Sequence, residues 1–305
     1  MVQSTESFRR YLDPQVLARI GGLDLRARLL VRGFLSGMHR SPSHGFSVEF
    51  AEHRKYAQGD DLRFLDWKVY GRTDKHYIKE YEMESNLQLL LAVDCSESMG
   101  YRSADSAWSK FDYATTLAAS ISYLALRQAD SVSLATFDSK THRTSRGSNN
   151  PAKWKSIVHE LAAATTVGRT SFRHALDELA ESTHERHLIV IISDFLGPME
   201  EIAAGLKHMR YRRHEPLVMQ VLDRAEMTFP FKTPTRLVGL EEKDIMRVEP
   251  RVMREAYLTA LRSFMTELRR RCHDQQADYA AFDTSNPVGG ALGTYLAARA
   301  SRVRR

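Results

Sequence analysis

Apolar residues recur along this chain at two spacings, one typical of buried strands and the other of helices. Mostly apolar runs at 87–93 and 187–193 are each followed by an aspartate, and such runs are typical of strands buried on both faces of a sheet. The segments 235–240 and 245–248 predict a hairpin, because four charged residues join them. The pattern predicts four more strands, at 131–137, 141–146 (as an edge partner), 217–222 and 279–282.

Helical spacing of apolar residues separates these strands. It predicts helices at 23–35, 111–125, 152–161, 171–181, 199–209, 252–272 and 290–299. Strands that alternate with helices in this way favour an α/β fold, with a doubly wound, mostly parallel sheet that is covered on both faces. We therefore predict one large α/β domain over residues 86–300.

Two smaller segments precede that domain. Residues 1–45 are predicted to be a helical segment, with a helix start at Asp13-Pro14. Residues 46–85 mix charged and aromatic side chains and have too few apolar positions for a large core of their own. We interpret 46–85 as a small module of short strands and turns that packs on a neighbour.

Composition narrows the class of protein. The 305 residues are 43% hydrophobic and 27% charged, close to globular averages, which excludes a disordered chain. The net charge of +6 is too diffuse to indicate nucleic-acid binding, and the two cysteines, Cys95 and Cys272, form no CxxC pair. The chain start has no apolar signal core, and no apolar run approaches the ~20 residues of a membrane helix. We expect a reduced, cytoplasmic protein without membrane insertion.

Oxygen-bearing side chains follow the first buried strand at alternating positions. Asp94, Ser96 and Ser98 offer one carboxylate and two hydroxyl groups from a single loop. Thr170, just before a predicted helix, and Asp194, after the second buried strand, could join them. If the two buried strands are neighbours with crossovers to opposite faces, these loops meet at the carboxyl ends of the strands. Oxygen ligands of this kind suit a hard cation such as Mg²⁺.

This set of loops resembles the metal-ion-dependent adhesion site of von Willebrand factor type A domains. The resemblance implies that Ser96, Ser98 and Thr170 ligate Mg²⁺ (or Mn²⁺ or Ca²⁺) directly or through water. It implies that Asp94 and Asp194 act largely through bound waters, and that a partner's Glu or Asp completes the sixth position. The sequence departs from the pattern after Asp194, where Phe195 stands in place of the common glycine.

The segment upstream of the first buried strand resembles a bacterial family, the domain of unknown function fifty-eight. The residues that carry this likeness are Glu49-Phe50-Ala51-Glu52-His53-Arg54, Tyr56, Gly59-Asp60-Asp61, Arg63, Asp66-Trp67-Lys68, Arg72-Thr73 and Tyr77 to Glu82. The resemblance implies a partner, a MoxR-type AAA+ ATPase, with which members are thought to act as co-chaperones or assembly factors. Many members carry membrane helices, so the lack of one here favours a cytoplasmic form.

The charged module at 46–85 admits three interpretations. It could be a layer of ion pairs that fastens the module to the sheet domain, a partner-binding surface, or a nucleic-acid platform. The interleaved acids would repel phosphate, which disfavours nucleic acid. The candidate partner-binding residues are Arg54, Asp60, Asp61, Arg63, Asp66, Trp67, Lys68 and Arg72.

The sequence favours a metal-dependent protein-binding module rather than an enzyme. The sequence has no GxxxxGK[ST] motif, so nucleotide hydrolysis would fall to a partner. Cys95 lacks an activating histidine, and Glu97 is the only spare carboxylate that the sequence places near the metal loop. Two alternatives remain open: a metal-dependent hydrolase of phosphoesters that uses the same loop, and a structural oligomer scaffold with an empty site.

Overall fold

A computed structural model of the chain describes most of its larger unit and part of its smaller one. The described residues are 17–18, 22–38, 53–55, 77–79, 87–138, 142–183, 185–241 and 244–303. Met38–Asn86 form one compact unit, and Met1–Gly37 with Leu87–Arg305 form the other. Helix α1 (Leu23–Met38) belongs to the larger unit except for its last residue, and it buries Leu23, Ala27, Leu30 and Val31.

The smaller unit contains two short antiparallel strands, β1 (His53–Lys55) and β2 (Tyr77–Lys79), with Arg54 opposite Ile78. Arg54 is the one candidate partner-binding residue within them. The other candidates lie outside the described residues: Asp60, Asp61, Arg63, Asp66, Trp67, Lys68 and Arg72. Partner binding by this module therefore stays a prediction.

The larger unit alternates strands and helices, as the sequence predicts. Its strands are β3 (Gln88–Asp94), β4 (Ser131–Phe137), β5 (His142–Thr144), β6 (Leu188–Ser193), β7 (Glu215–Leu222), β8 (Thr235–Val238), β9 (Ile245–Val248) and β10 (Asp278–Asp283). Its other helices are α2 (Lys110–Arg127), α3 (Lys153–Ala163), α4 (Phe172–Glu181), α5 (Met199–Tyr211), α6 (Arg224–Thr228), α7 (Pro250–Asp274) and α8 (Gly289–Val303).

One six-stranded sheet organises this unit, in the order β10-β7-β6-β3-β4-β5. The first five strands of that order are mutually parallel, and β5 pairs antiparallel with β4 at the edge. The central strands β3, β6 and β7 are buried almost throughout, whereas the edge strand β10 is mostly half-buried. The prediction of a doubly wound, mostly parallel α/β sheet is confirmed.

Helices cover both faces of the sheet because successive strand residues point to opposite sides. Leu90 and Ala92 of β3 share one core cluster with buried residues of α4, α5 and α7. The alternate β3 residues face α2, which packs in turn against α3 and α8. A hydrogen bond of 2.9 Å from Trp154 Nε1 of α3 to the Ala119 carbonyl fixes that second layer.

Two short elements escaped the sequence pattern. A 3₁₀ turn spans Glu97–Gly100, and α6 follows β7 directly. Asp223 caps α6, accepting a hydrogen bond from Ala225 N–H, while Glu226 accepts one from Asp223 N–H. The D-x-x-E spacing is the sequence signal of this capping box. α7 also begins two residues before the predicted helix, at Pro250, a residue suited to the first helical turn.

No helix in the described part of the chain is both long and apolar enough to cross a bilayer. The longest of them, α7, has 25 residues and includes the consecutive arginines Arg269, Arg270 and Arg271. The cytoplasmic location stays a prediction.

We expect opposite effects from two glycine-to-alanine substitutions in helices. A Cβ at Gly205 of α5 would lie 2.4 Å from Leu176 Cβ of α4, whereas one at Gly293 of α8 would meet nothing within 4 Å. Overpacking typically costs about 1–3 kcal/mol, more than the ~1 kcal/mol by which helices prefer alanine. Gly205→Ala should therefore lower the free energy of unfolding, and Gly293→Ala should raise it, in denaturant titrations. Equal effects would contradict the close packing of α4 on α5.

Candidate metal centre

The predicted loops meet at the carboxyl ends of two adjacent strands. β3 and β6 pair in parallel, with Leu91 opposite Val190. β3 continues through α2 to β4 on one side, and β6 continues through α5 to β7 on the other. Crossovers that leave to opposite faces open a crevice between two such strands. Asp94 ends β3 and Asp194 follows β6, so both border this crevice.

Asp94 is the centre of the site. Its carboxylate is fully buried and accepts three hydrogen bonds. Oδ1 accepts from Ser96 N–H at 2.8 Å and from the Thr170 hydroxyl at 2.9 Å, and Oδ2 accepts from the Ser193 hydroxyl at 2.6 Å. One side chain thus joins the β3 loop, the loop before α4 and the end of β6.

Backbone hydrogen bonds hold the β3 loop against the loop that carries Thr170. Val167 N–H donates to the Cys95 carbonyl at 2.8 Å, and Glu97 N–H donates to the Gly168 carbonyl at 2.9 Å. Gly168 has a φ of +72°, a left-handed conformation that glycine adopts without strain. This pairing sets the separation of Asp94 and Thr170 independently of their side chains.

The serine hydroxyls of the β3 loop lie together. Ser96 Oγ and Ser98 Oγ are 3.0 Å apart, and Ser96 is buried whereas Ser98 is half-buried. The 3₁₀ turn that follows Ser96 places Ser98 on the same side of the loop. Four of the five predicted ligands are therefore linked by hydrogen bonds: Asp94, Ser96, Ser98 and Thr170.

The fifth predicted ligand, Asp194, has different partners. Its Oδ2 accepts from the Lys110 ammonium at 2.8 Å, and its Oδ1 accepts from Leu196 N–H at 3.1 Å. Lys110 is buried and also contacts Glu226 Oε1 at 2.7 Å. Asp194 is thus part of a buried ion-pair network. Its negative charge acts on Asp94 electrostatically, and among the described residues the two carboxylates share no hydrogen-bond donor.

Phe195 occupies the position where the resembled pattern commonly has glycine. It has a φ of +54° and is fully buried, with its ring stacked on Phe172 at a centroid distance of 5.6 Å. Its N–H donates to Ser193 Oγ at 3.0 Å, so the turn also supports the hydroxyl that contacts Asp94. Stacking and this hydrogen bond hold the strained backbone in place.

Electrostatics make the site favourable for a cation. Burial and, to a lesser extent, the negative charge of Asp194 raise the pKa of Asp94 to about 6, although hydrogen bonds from Ser193 and Ser96 partly offset both effects. Burial alone would lower the pKa of Lys110, but its two carboxylate partners raise it above its usual range. The ammonium therefore stays charged and balances only part of the buried negative charge.

The residues present fit a hard divalent cation held by oxygen atoms. The Thr170 hydroxyl donates its proton to Asp94, which leaves the lone pairs of Oγ1 available to a cation. Ser96 and Ser98 add two hydroxyl oxygens. No three His, Cys, Asp or Glu side chains come together as metal ligands in the described ranges.

Three charged residues of this site escaped the sequence analysis: Lys110, Glu226 and Glu241. The sequence places only Glu97 near the loop as a spare carboxylate, and the structure adds Glu226 and Glu241, each with a cationic partner. Lys110 had a signal, because Ala114, Leu117 and Ala118 follow it at the spacings of one buried helix face. Glu241 had no such sequence signal, because nothing in the hydrophobic pattern places the β8–β9 connection near the loop after β3.

Cys95 behaves as the sequence suggested. Its thiol is buried, and burial, with the charges of Asp94 and Asp138, raises its pKa to about 12. The reactive thiolate is therefore scarce near neutral pH. We assign Cys95 a packing role.

A cavity of about 490 Å³ adjoins the hydroxyl cluster. Ser98, Lys110, Glu226 and Glu241 line its polar side. The other side is apolar and includes Phe229, Phe231, Leu237 and Tyr257. A ligand bound in this cavity would contact both charged and aromatic side chains.

Comparison with known proteins identifies the family. The family described as "Protein of unknown function DUF58" matches residues 52–267. The chain belongs to this family. Uncharacterized proteins of Mycobacterium tuberculosis (strain ATCC 25618 / H37Rv) and Mycobacterium bovis are each 30% identical to this DUF58 protein over 223 residues, which cover 72% of it and 68% of each relative.

Two solved structures resemble this DUF58 protein distantly. BatB from Bacteroides thetaiotaomicron is 14% identical, with a TM-score of 0.45, and the match covers 70% of this chain and 99% of BatB. The SpRpn10 VWA domain is 11% identical, with a TM-score of 0.39, and the match covers 68% and 94% of the two chains. These likenesses concern the fold and carry no argument about the site.

We expect Asp94→Asn to stabilise the metal-free DUF58 protein near neutral pH. Folding raises the pKa of Asp94 from 3.8 to about 6, so the ionised carboxylate costs stability that sets in above pH 4 and is complete above pH 6. Asparagine removes this cost, so we expect a gain of about 1–3 kcal/mol at pH 7.5 and little at pH 4.5, measured by denaturant unfolding in chelator.

The exposed Asp105→Asn is the matched control and should change stability little at either pH. An Asp94→Asn protein less stable than wild type at pH 7.5 would contradict this account. It would mean that the three donors around Asp94 outweigh its burial.

Proposed function

We propose that this DUF58 protein is a divalent-metal-dependent protein-binding module. The observation that carries the proposal is the buried Asp94 carboxylate, hydrogen-bonded to Thr170 and to the loop of Ser96 and Ser98. Bound Mg²⁺ would supply an electrophilic coordination position for a carboxylate oxygen. The hydroxyls of Ser96, Ser98 and Thr170 would hold the cation, and Asp94 and Asp194 would orient its waters.

The partner is proposed to carry an acidic side chain next to an apolar one. An acidic group suits the cation, and the cavity beside Ser98 offers Phe229, Phe231 and Tyr257 to a neighbouring apolar group. Aromatic side chains in such pockets are common anchors of protein interfaces. This pairing of charge and apolar surface supports protein binding over binding of a simple anion.

The candidate partner is a MoxR-type AAA+ ATPase, with this chain as its adaptor or co-chaperone in the assembly or maturation of other proteins. The family resemblance supports this partner, and the lack of a nucleotide-binding motif fits a division of labour in which the ATPase supplies the energy. We propose further that the chain acts in the cytoplasm and without catalysis of its own.

A metal-dependent hydrolase is less well supported. The site holds more carboxylates than the sequence suggested, but each has a partner. Glu226 accepts from Lys110 and from Asp223 N–H, and Glu241 is near Arg169. Burial raises the pKa of Glu226, yet both of its oxygens are occupied. A general base would need a carboxylate free to take a proton from water.

Thr170→Val should weaken metal binding. Valine keeps the shape of threonine but removes one proposed ligand oxygen, so we expect Mg²⁺ or Mn²⁺ affinity to fall at least about tenfold, or ~1.4 kcal/mol. Isothermal titration calorimetry measures this directly. Thr165→Val, an exposed change in the same loop, should bind the metal as wild type does. Equal affinities in all three proteins would place the metal elsewhere or rule it out.

Binding to the ATPase should depend on the same residue. We expect a purified, nucleotide-free MoxR-type ATPase from the same organism to bind wild type and Thr165→Val in Mg²⁺, and to bind Thr170→Val at least about tenfold more weakly. Chelator should abolish binding. Because no nucleotide is present, the chelator cannot act by removing Mg²⁺ from nucleotide on the ATPase. Binding indifferent to both metal and Thr170 would contradict a contact at the metal centre.

A further inference from the structure

The connection between β8 and β9 brings an acidic side chain of the chain itself to the candidate metal centre. These strands form their own two-stranded antiparallel sheet, closed by a hydrogen bond of 2.8 Å from Gly239 N–H to the Asp244 carbonyl. Glu241 lies in this connection and lines the same cavity as Ser98 and Lys110. A carboxylate from a separate sheet thus faces the space in front of the hydroxyl cluster.

Glu241 contacts both loops of the centre. Burial raises the pKa of the Glu241 carboxyl group, and the Ser98 hydroxyl, which lines the same cavity, partly offsets this effect. Arg169, next to Thr170, lies 3.7 Å from Glu241, measured from Nε to Oε2. The Glu241 side chain is only 25% exposed, whereas that of Arg169 is 60% exposed. Arg169 therefore forms a solvated ion pair of little energy, and it does not by itself explain why Glu241 turns inward.

The charge around the centre is unbalanced. Among the described residues that contact one another here, it comprises four carboxylates and two cations, namely Asp94, Asp194, Glu226, Glu241, Lys110 and Arg169. Within this set, two negative charges lack a counter-charge. Bringing a fourth carboxylate to such a place is unfavourable unless a cation offsets it, and one divalent cation supplies the missing charge.

Val248 anchors one end of the hairpin that carries Glu241, but most of the apolar side chains near its connection are exposed. Val238, Ile245 and Met246 are each more than half exposed. Displacing Glu241 from the centre would therefore break few buried contacts. It would also leave these apolar side chains available to whatever takes its place.

We propose that Glu241 is an in-chain ligand of the metal centre and holds the coordination position that a partner's carboxylate would otherwise take. The inference rests on the proposed function, because it requires the metal. Its consequence is competition: a partner binds only in the fraction of molecules whose Glu241 has left, so its apparent affinity is reduced by that fraction.

The test compares wild type with Glu241→Gln and Glu241→Ala by titration with Mn²⁺, whose bound waters are counted by water-proton relaxation. In Glu241→Ala a water should take the place of the carboxylate, so relaxation per bound Mn²⁺ should rise; in Glu241→Gln it should rise less, because the amide oxygen can still coordinate the cation. Mn²⁺ affinity should fall on the order of tenfold, or about 1.4 kcal/mol. Sodium acetate, added as a free carboxylate, should lower the relaxation of the variants but not of wild type.

Glu249→Gln is the matched control. Glu249 is exposed at the end of the same hairpin, lies outside the cavity and caps α7 with no side-chain hydrogen bond. It should match wild type throughout. A Glu241→Ala protein that binds Mn²⁺ with the affinity and relaxation of wild type would overturn the in-chain ligand alone. Absence of Mn²⁺ binding in all proteins would overturn the metal centre and this inference with it.

Discussion

The arrangement of the site depends on one buried carboxylate. Asp94 ends the central strand β3, where its three hydrogen-bond donors come from its own loop, from the loop before α4 and from the end of β6. A buried charge is costly unless donors or cations surround it. The need to satisfy Asp94 therefore brings three separate parts of the chain to one point, and the parallel pairing of β3 with β6 makes that point available.

A buried cluster of ion pairs lies beside the Asp94 carboxylate in this DUF58 protein. Lys110 joins Asp194 and Glu226 under the crevice, so part of the negative charge is balanced permanently by the chain. Arg169, which pairs with Glu241, is 60% exposed and balances little of the remaining charge. The ion pairs of Lys110 therefore belong to the fold, and the remaining negative charge is available to an exchangeable cation. A mobile cation would then complete the balance at the surface without being needed to hold the fold.

The sequence allowed the fold to be predicted because its strongest signals are local. Apolar runs of strand length and helical spacing located β3, β6 and most helices, and the aspartates after two of the strands located the crevice. What could not be predicted depends on contacts between distant segments. Glu241 reaches Ser98 because of how the β8–β9 sheet lies over the cavity, and no periodicity encodes that. Lys110 lay on a visible apolar stripe, but its partners are 84 and 116 residues away.

Phe195 gives the centre a property that glycine would not. Its ring is stacked on Phe172, the first residue of α4, and Thr170 lies two residues before that helix. This aromatic pair therefore connects the turn after Asp194 to the loop of Thr170. A glycine would leave the turn free to change its backbone conformation, whereas the buried ring restricts it. Recognition at this centre would proceed against a rigid frame, with adjustment left to the hairpin opposite.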